Sequence, residues 1–140
     1  MKKLFLIFLF VAAAVVPANR ARAQALVIAN PKVKSTDVSK SDLRDVFTGT
    51  ASCFKDGSNV TPVLLKSGAV NDEFLAAYVG KPDAAFKASW RNLVFSGQAS
   101  MPKTVDSDAA MVTYVAETPG AVGYIGKSAP HDGVKVLAVK

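Results

Sequence analysis

The residues best suited to chemistry in this sequence are Lys66, Ser67 and Gly68, within residues 63–74 (VLLKSGAVNDEF). The apolar residues before Lys66 predict a strand and the residues after Gly68 predict a helix, so these three residues form the turn between them. Unpaired N–H groups at a helix N-terminus and the helix dipole favour an anion there. Ser67 adds a hydroxyl donor, Gly68 permits close approach, and Lys66 adds a positive charge.

The same turn has a purely structural interpretation, in which Ser67 serves only as the N-cap of the helix. Two acidic residues, Asp72 and Glu73, follow closely and reduce the attraction for an anion. In open α/β sheets, however, ligands bind beyond the carboxyl ends of the strands, which is where this turn is expected. The residues therefore predict a candidate anion site and leave the capping alternative open.

Groups for acid–base or nucleophilic catalysis are scarce. His131 is the single histidine, and its surroundings (APHDG) are typical of an exposed turn. The carboxylate pairs Asp72–Glu73 and Asp106–Asp108 lie where helices are expected to start, and acids in a first helical turn favour the helix dipole. The sequence therefore predicts a protein that is not an enzyme and that has no metal site and no cofactor.

Cys53 is the single cysteine, so it cannot form an internal disulfide. In an oxidising compartment a lone cysteine is either buried and inert or available for an intermolecular bond. Because Cys53 precedes Phe54 in an otherwise polar turn region, we expect it to be buried.

Strand patterns alternate with helical patterns along the chain, which predicts an α/β domain with helices covering the sheet. Strands are expected at residues 25–29, 60–65, 121–125 and 134–139, and a loop at residues 96–103. Ser39 is expected to cap the first helix, and Asp106 or Ser107 the last. The expected apolar faces of the four helices are Leu43, Val46 and Phe47; Phe74, Ala77 and Tyr78; Phe86, Trp90, Leu93 and Val94; and Met111, Val112 and Val115.

Several strings resemble motifs of the phosphate-binding proteins of ABC importers, in the same order and spacing. Individually these strings are weak, but together they extend over nearly all of residues 24–140. They are residues 41–49 (SDLRDVFTG), similar to that family's acidic-Leu-x-x-Ile-Phe-x-Gly helix and followed by Phe54 and Asp56-Gly57; Ser67-Gly68, similar to its Ser-Gly-Thr turn; Trp90 and Gly97, similar to its mid-domain helix and loop; and residues 118–124 (TPGAVGY), similar to its Pro-Gly-Ala-Ile-Gly-Tyr signature.

The resemblance implies a fold and a ligand. The fold is a type II periplasmic-binding-protein lobe, a single three-layer αβα lobe with a mixed, mostly parallel sheet of about four or five strands. The matched motifs all belong to the second of the family's two lobes, so the chain resembles that lobe alone. The implied ligand is phosphate or a similar anion, and the residues expected to bind it are Lys66, Ser67, Gly68, Ala69 and Asn71.

The turn departs from the family's pattern in ways that weaken the expected site. Ala69 stands where the family has Thr, so one hydroxyl donor is missing. The family's upstream Arg has no match, and Lys66 offers a point charge rather than a bidentate fork. Without the other lobe, a bound anion stays half exposed to water, which screens charged hydrogen bonds.

The first 23 residues are typical of a cleavable signal peptide. Lys2 and Lys3 precede an apolar run at residues 4–16 and an Ala-Arg-Ala string that ends at Ala23. The run has 13 residues, whereas a membrane-spanning helix needs roughly twenty. We therefore expect a signal peptide at residues 1–23, a single lobe at residues 24–140, and a periplasmic or secreted location without a stable membrane anchor.

Removal of the signal peptide also changes the charge. Four of the 17 Lys and Arg residues and none of the 11 acids lie in the first 23 residues, which leaves a net charge of +2. So small a charge gives no basis for binding nucleic acid.

Two functions remain open at this point. The first is an exported, phosphate-like anion-binding module related to the substrate-binding component of phosphate ABC transport, with a second copy or another protein supplying the missing lobe. The second is a lobe that has kept its fold, lost its ligand and acts as a protein-interaction or sensing component of the cell envelope.

Export with cleavage after Ala23 is directly testable by mass spectrometry of the intact protein recovered after secretion. We expect a chain that starts at Gln24, with cleavage after Ala25 as the alternative product. A secreted protein that retains Met1 contradicts the signal-peptide interpretation.

Overall fold

A computed structural model describes residues 25–140, so the predicted signal peptide and its cleavage site lie outside the described residues. Six strands form one sheet, and four α-helices pack against it. In chain order the elements are β1 (Leu26–Ala29), β2 (Asp37–Val38), α1 (Lys40–Phe47), β3 (Thr61–Leu65), α2 (Ala69–Phe74) with a π-helical continuation (Leu75–Val79), α3 (Asp83–Phe95), β4 (Lys103–Val105), α4 (Asp108–Glu117), β5 (Ala121–Ile125) and β6 (Lys135–Val139).

The strand order is β2-β6-β1-β5-β3-β4. Strand β1 runs antiparallel to both of its neighbours, with Leu26 opposite Ile125, while the other three pairings are parallel. All strands except β1 therefore point the same way, and their C-terminal ends share one edge of the sheet, called here the carboxyl edge. The opposite edge, where these strands begin, is the amino edge.

Strand β5 separates two helical layers. Within a strand, successive side chains point to opposite faces of the sheet. At Gly123 an added Cβ would overlap the sulfur of Met111 on α4. The next residue, Tyr124, contacts the rings of Phe47 and Phe74 on the other face. Helix α4 thus covers one face, and α1 with α2 covers the other, which confirms the predicted three-layer α/β fold.

Helix α3 is joined to α1 through Trp90. The indole Nε1 of Trp90 donates to the carbonyl of Phe47 at 2.9 Å, and both residues are buried. Gly49, which follows α1, has a φ of +78°, and a Cβ there would lie 2.7 Å from Leu93 and 3.1 Å from Trp90. The close approach of α3 to the end of α1 therefore requires a glycine at this position.

The sheet has six strands, rather than the four or five expected. Strands β2 and β4 were missed because they have two and three residues. Such short strands show no recognisable alternation, and β4 lies at the end of the predicted loop at residues 96–103. The four predicted strands are all present.

Both predicted caps form, with Ser39 and Ser107 each accepting a backbone N–H at 3.1 Å; Asp106 is not the cap.

The prediction that Ala77 and Val94 face the core is wrong, because both are exposed. Ala77 is exposed because the π-helical turn widens the spacing and buries Leu75 and Val79 instead. Val94 is 39% exposed at the last turn of α3.

The prediction that Cys53 is buried is also wrong, since its side chain is exposed. Residues 53–59 fold back on themselves: Cys53 bridges to Asn59, and the amide of Phe54 donates to Ser58. Neighbouring side chains in this extended hairpin point in opposite directions. Phe54, which is larger than Cys53 and 3% exposed, points into the core, so Cys53 points to the solvent.

The packing of α4 on β5 leads to a stability prediction. Gly123→Ala adds a methyl group where the Met111 sulfur lies, and we expect it to lower the free energy of unfolding by about 1–3 kcal/mol. Denaturant unfolding monitored by circular dichroism measures the change. Combining Gly123→Ala with Met111→Ala is expected to cost less than the sum of the two single changes, because the shorter side chain frees the space. Additive costs contradict the proposed contact.

Candidate functional site

The predicted turn lies at the carboxyl edge, between β3 and α2. Lys66, Ser67, Gly68 and Ala69 are all exposed. The amide of Lys66 donates to the Val105 carbonyl at 2.8 Å, which extends the pairing of β3 with β4 up to the turn.

Gly68, not Ser67, occupies the N-cap position of α2. It has a φ of +115°, and no side chain caps the helix. The amide of Asp72 donates to the Gly68 carbonyl at 3.0 Å, which is the first hydrogen bond of the helix. The amides of Ala69 and Val70 come earlier in the chain and therefore have no acceptor in the helix. The capping alternative for Ser67 is therefore wrong, and its exposed hydroxyl makes no hydrogen bond within residues 25–140.

The ends of this turn are held together by Tyr124, which is fully buried in β5. Its hydroxyl accepts a hydrogen bond from the Leu65 amide at 3.0 Å and donates one to Asn71 Oδ1 at 2.5 Å. Leu65 is the last residue of β3, and Asn71 lies in the first turn of α2. One phenol thus fixes the separation of the strand end and the helix start.

A second set of contacts continues from Asn71 and returns to the turn. Asn71 Nδ2 donates to Asp83 Oδ1 at 2.8 Å, and Asp83 Oδ2 pairs with Lys87 Nζ at 3.0 Å. Lys87 Nζ in turn donates to the carbonyl of Lys66. Residues from β3, β5, α2 and α3 therefore form a closed ring of polar contacts around the turn. A turn held in this way loses little further conformational freedom when a ligand binds.

The side chain of Asn71 is occupied by this ring. Asn71 is 1% exposed, and both its amide oxygen and its amide nitrogen are bonded to protein groups. Of the five residues expected to bind an anion, Lys66, Ser67, Gly68 and Ala69 lie together on the surface, and Asn71 lies beneath them as a positioning residue.

Further polar groups surround the turn at the same edge. Asp108, at the start of α4, accepts the amide of Gly126 at 3.2 Å. A Cβ on Gly126 would lie 3.2 Å from Asp108 and 3.3 Å from Val70, so glycine lets the end of β5 approach both helices. Beside Lys66 is an open depression of about 370 Å³, which is lined by Lys66, Lys103, Thr104, Val105, Asp106 and Ala110.

The other sequence candidates for chemistry take structural positions. His131 is exposed, and its Nδ1 lies 3.0 Å from the Ala129 carbonyl. Asp72 and Asp108 lie in the first turns of α2 and α4, as expected. Within residues 25–140, no group of three or more His, Cys, Asp or Glu residues could hold a metal ion. In that same part of the chain, no helix has the length and apolar character needed to cross a bilayer.

Sequence reasoning missed the positioning roles of Tyr124, Asp83 and Lys87. One signal was present: Tyr124 lies in an otherwise apolar strand, and a buried tyrosine hydroxyl usually has a hydrogen-bond partner. The partners themselves could not be identified, because Leu65 is 59 residues away in sequence.

Comparisons with known proteins identify solved structures that have a similar fold. No family model and no curated protein matches the sequence. Among solved structures, the chain is similar to an ABC-type phosphate transport receptor from Vibrio cholerae, with 17% identity and a TM-score of 0.64 over 83% of this chain and 46% of that one. A putative phosphate ABC transporter substrate-binding protein with bound phosphate from Clostridium perfringens matches at 18% identity and a TM-score of 0.63, over 83% and 44%. PstS from Borrelia burgdorferi matches at 18% identity and a TM-score of 0.54, over 84% and 47%.

These structures share the fold of this chain, which confirms the fold implied by the sequence motifs. The chain spans less than half the length of each of them, an extent that fits a single lobe. At 17–18% identity the likeness establishes the architecture and leaves the ligand to be proposed.

The Tyr124 hydroxyl leads to a stability prediction. Tyr124→Phe leaves the buried Leu65 amide and Asn71 Oδ1 without their partner, and we expect a loss of about 2–4 kcal/mol in the free energy of unfolding at neutral pH. Denaturant unfolding measures this loss. Tyr114→Phe, at a partly exposed tyrosine on α4, is the matched control and is expected to change stability little.

The same variant has a distinct pH dependence. Burial raises the pKa of Tyr124 well above its ordinary value of 10.0. The unfolded chain therefore loses the phenol proton above pH 10 while the folded chain retains it. Stability from this group is complete below pH 10 and falls as pH rises above it, by about 1.4 kcal/mol per pH unit. Tyr124→Phe is expected to flatten that alkaline decline, and an unchanged slope contradicts the assignment.

Proposed function

We propose that this protein is an exported module that binds phosphate or a similar anion, related to the substrate-binding component of phosphate ABC transport. The observation that carries the proposal is the turn from Lys66 to Ala69: an exposed set of donors, held in one geometry by buried contacts, at the carboxyl edge of the sheet. The fold is that of proteins described as phosphate receptors, one of them with phosphate bound.

Each residue of the turn has a distinct role in this proposal. The exposed Ser67 hydroxyl and the amides of Ala69 and Val70 donate to the anion oxygens, and Gly68 lets the anion approach the backbone. Lys66 supplies the positive charge. Asn71 makes no direct contact but fixes the first turn of α2 through Tyr124. Binding of this kind includes no bond-breaking step, so the protein acts as a binding module rather than an enzyme.

The exposure of the turn limits the affinity of the isolated chain. Water screens charged interactions at an exposed site, so the isolated chain is expected to bind more weakly than a closed two-lobed protein. A second copy of this chain, or another protein, lying on the carboxyl edge would exclude that water and complete the ligand's coordination. The proposal includes a signal peptide at residues 1–23, a binding lobe at residues 24–140 and a periplasmic or secreted location.

Titration calorimetry on the exported protein tests the proposal, with phosphate and sulfate as separate ligands. We expect saturable heat at millimolar concentrations or below, and about a tenfold weaker affinity for Ser67→Ala, because one hydrogen bond to a charged ligand is lost. Lys66→Ala is expected to weaken binding further at low salt than at high salt.

Two matched controls separate the turn from general surface effects. Ser100→Ala and Lys55→Ala each remove the same exposed group elsewhere, and both are expected to leave the affinity unchanged. Absence of heat up to millimolar phosphate and sulfate, for the monomer and for any dimer, rules out autonomous anion binding.

A further inference from the structure

The depression beside Lys66 lies between β4, at the edge of the sheet, and helix α4. Strand β4 supplies three of its lining residues, and Ala110 of α4 also lines it. Ala110 and Tyr114 are four residues apart and therefore share one face of α4. The ammonium of Lys103, the first residue of β4, lies 5.7 Å from the centroid of the Tyr114 ring. The depression is therefore on the α4 side of the sheet.

The strand register gives the extent of this depression. Lys103 pairs with Val63 and Val105 pairs with Leu65, and the amide of Lys66 donates to the Val105 carbonyl. Lys66 is thus three residues beyond the row that contains Lys103, which is about 10 Å along the strands. The volume of about 370 Å³ equals that of about a dozen water molecules in the liquid. A phosphate ion bound at the turn would leave most of this space unfilled.

The turn and the depression are contiguous. Lys66 belongs to both of them. A Cβ on Gly126 would lie 3.2 Å from Asp108 and 3.3 Å from Val70, so the first turn of α2 lies beside the first turn of α4. The Asp108 carboxylate accepts the Gly126 amide there. A ligand that is larger than phosphate can therefore extend from the turn into the depression.

The groups in the depression suit hydroxyls better than a second anion. Lys103, Thr104 and Asp106 are all exposed, and within residues 25–140 none of their side chains makes a hydrogen bond or an ion pair. The ammonium donates, the carboxylate accepts, and the threonine hydroxyl does both. A second phosphate group would meet the negative charge of Asp106, whereas a hydroxyl of the ligand can donate to it and also accept from Lys103.

We infer that the ligand is a phosphate monoester of a small polyol. Its phosphate group lies at the turn from Lys66 to Ala69, and its hydroxylated carbon chain lies in the depression. There Asp106 accepts hydrogen bonds from the hydroxyls, and Thr104 and Lys103 donate to them. The inference rests on the proposed function, because the phosphate group takes the place proposed for the anion.

Titration calorimetry on the exported protein tests the inference with inorganic phosphate, glycerol phosphate and propyl phosphate. Propyl phosphate is the matched control ligand, because it has the charge and chain length of glycerol phosphate but no hydroxyls. We expect glycerol phosphate to bind about tenfold more tightly than propyl phosphate, because its hydroxyls are hydrogen-bonded in the depression. Equal affinities of the two esters overturn the inference, and the proposed function then stands if inorganic phosphate binds. Absence of heat with all three ligands overturns both.

Pyrophosphate distinguishes a hydroxylated group from a second anion. The comparison is made at high salt, where non-specific attraction is screened. We expect pyrophosphate to bind more weakly than glycerol phosphate, since Asp106 repels its second phosphate group. Tighter binding of pyrophosphate assigns the depression to a second anion and overturns the inference.

Matched variants then locate the two parts of the ligand. Asp106→Ala is expected to weaken glycerol phosphate about tenfold, because an acceptor of its hydroxyls is lost, while inorganic phosphate keeps or gains affinity. Asp132→Ala removes an exposed carboxylate elsewhere and is expected to change neither affinity. Ser67→Ala is expected to weaken both ligands. Unchanged binding of glycerol phosphate by Asp106→Ala, or by Ser67→Ala, contradicts the inference, and so does equal weakening of both ligands by Asp106→Ala.

Discussion

The hydroxyl of Tyr124 is the interaction on which the arrangement of this fold's carboxyl edge depends. The Tyr124 ring is stacked on Phe74 in the largely apolar core, with ring centroids 3.9 Å apart, and its hydroxyl is hydrogen-bonded to both Leu65 and Asn71. A buried polar group that is fully paired specifies one arrangement of its neighbours, since each alternative leaves an unpaired atom in a medium of low dielectric. The separation between the end of β3 and the start of α2 is set in this way.

The hydrogen bonds of Tyr124 also determine the geometry of the exposed turn at the surface. Asn71, fixed by Tyr124, holds Asp83 at the start of α3, and Lys87 on the next turn of that helix holds the carbonyl of Lys66. The exposed turn therefore derives its geometry from groups that are mostly buried or half-buried. An exposed set of donors with a buried support can be open to solvent and still rigid, which is the condition for binding a small ion without a large ordering cost.

The directions of the strands give the two edges of the sheet different chemical characters. The carboxyl edge brings together helix N-termini, the turn at Ser67 and the end of β5 at Gly126. At the amino edge are the C-terminal ends of α3 and α4 and the exposed ring of Phe95. In the solved structures with this fold, the chain corresponds to less than half of the protein. The turn from Lys66 to Ala69 is exposed at this edge, so under the proposed function screening by water lowers the affinity for an anion.

Local patterns in the sequence were sufficient for most of the framework. Ser39 was identified as one cap and the other was narrowed to Asp106 or Ser107, and four strands and all four helices were predicted, because capping and periodicity involve residues only a few positions apart. The motif resemblance also identified the fold. Tertiary structure alone decided that the short strands β2 and β4 form, because each depends on pairing with a longer neighbouring strand. It decided the exposure of Cys53, which follows from its neighbour Phe54 filling the interior. It also decided that Asn71 supports the turn from below, because its partner Tyr124 is 53 residues away and meets it only when β5 inserts between β1 and β3.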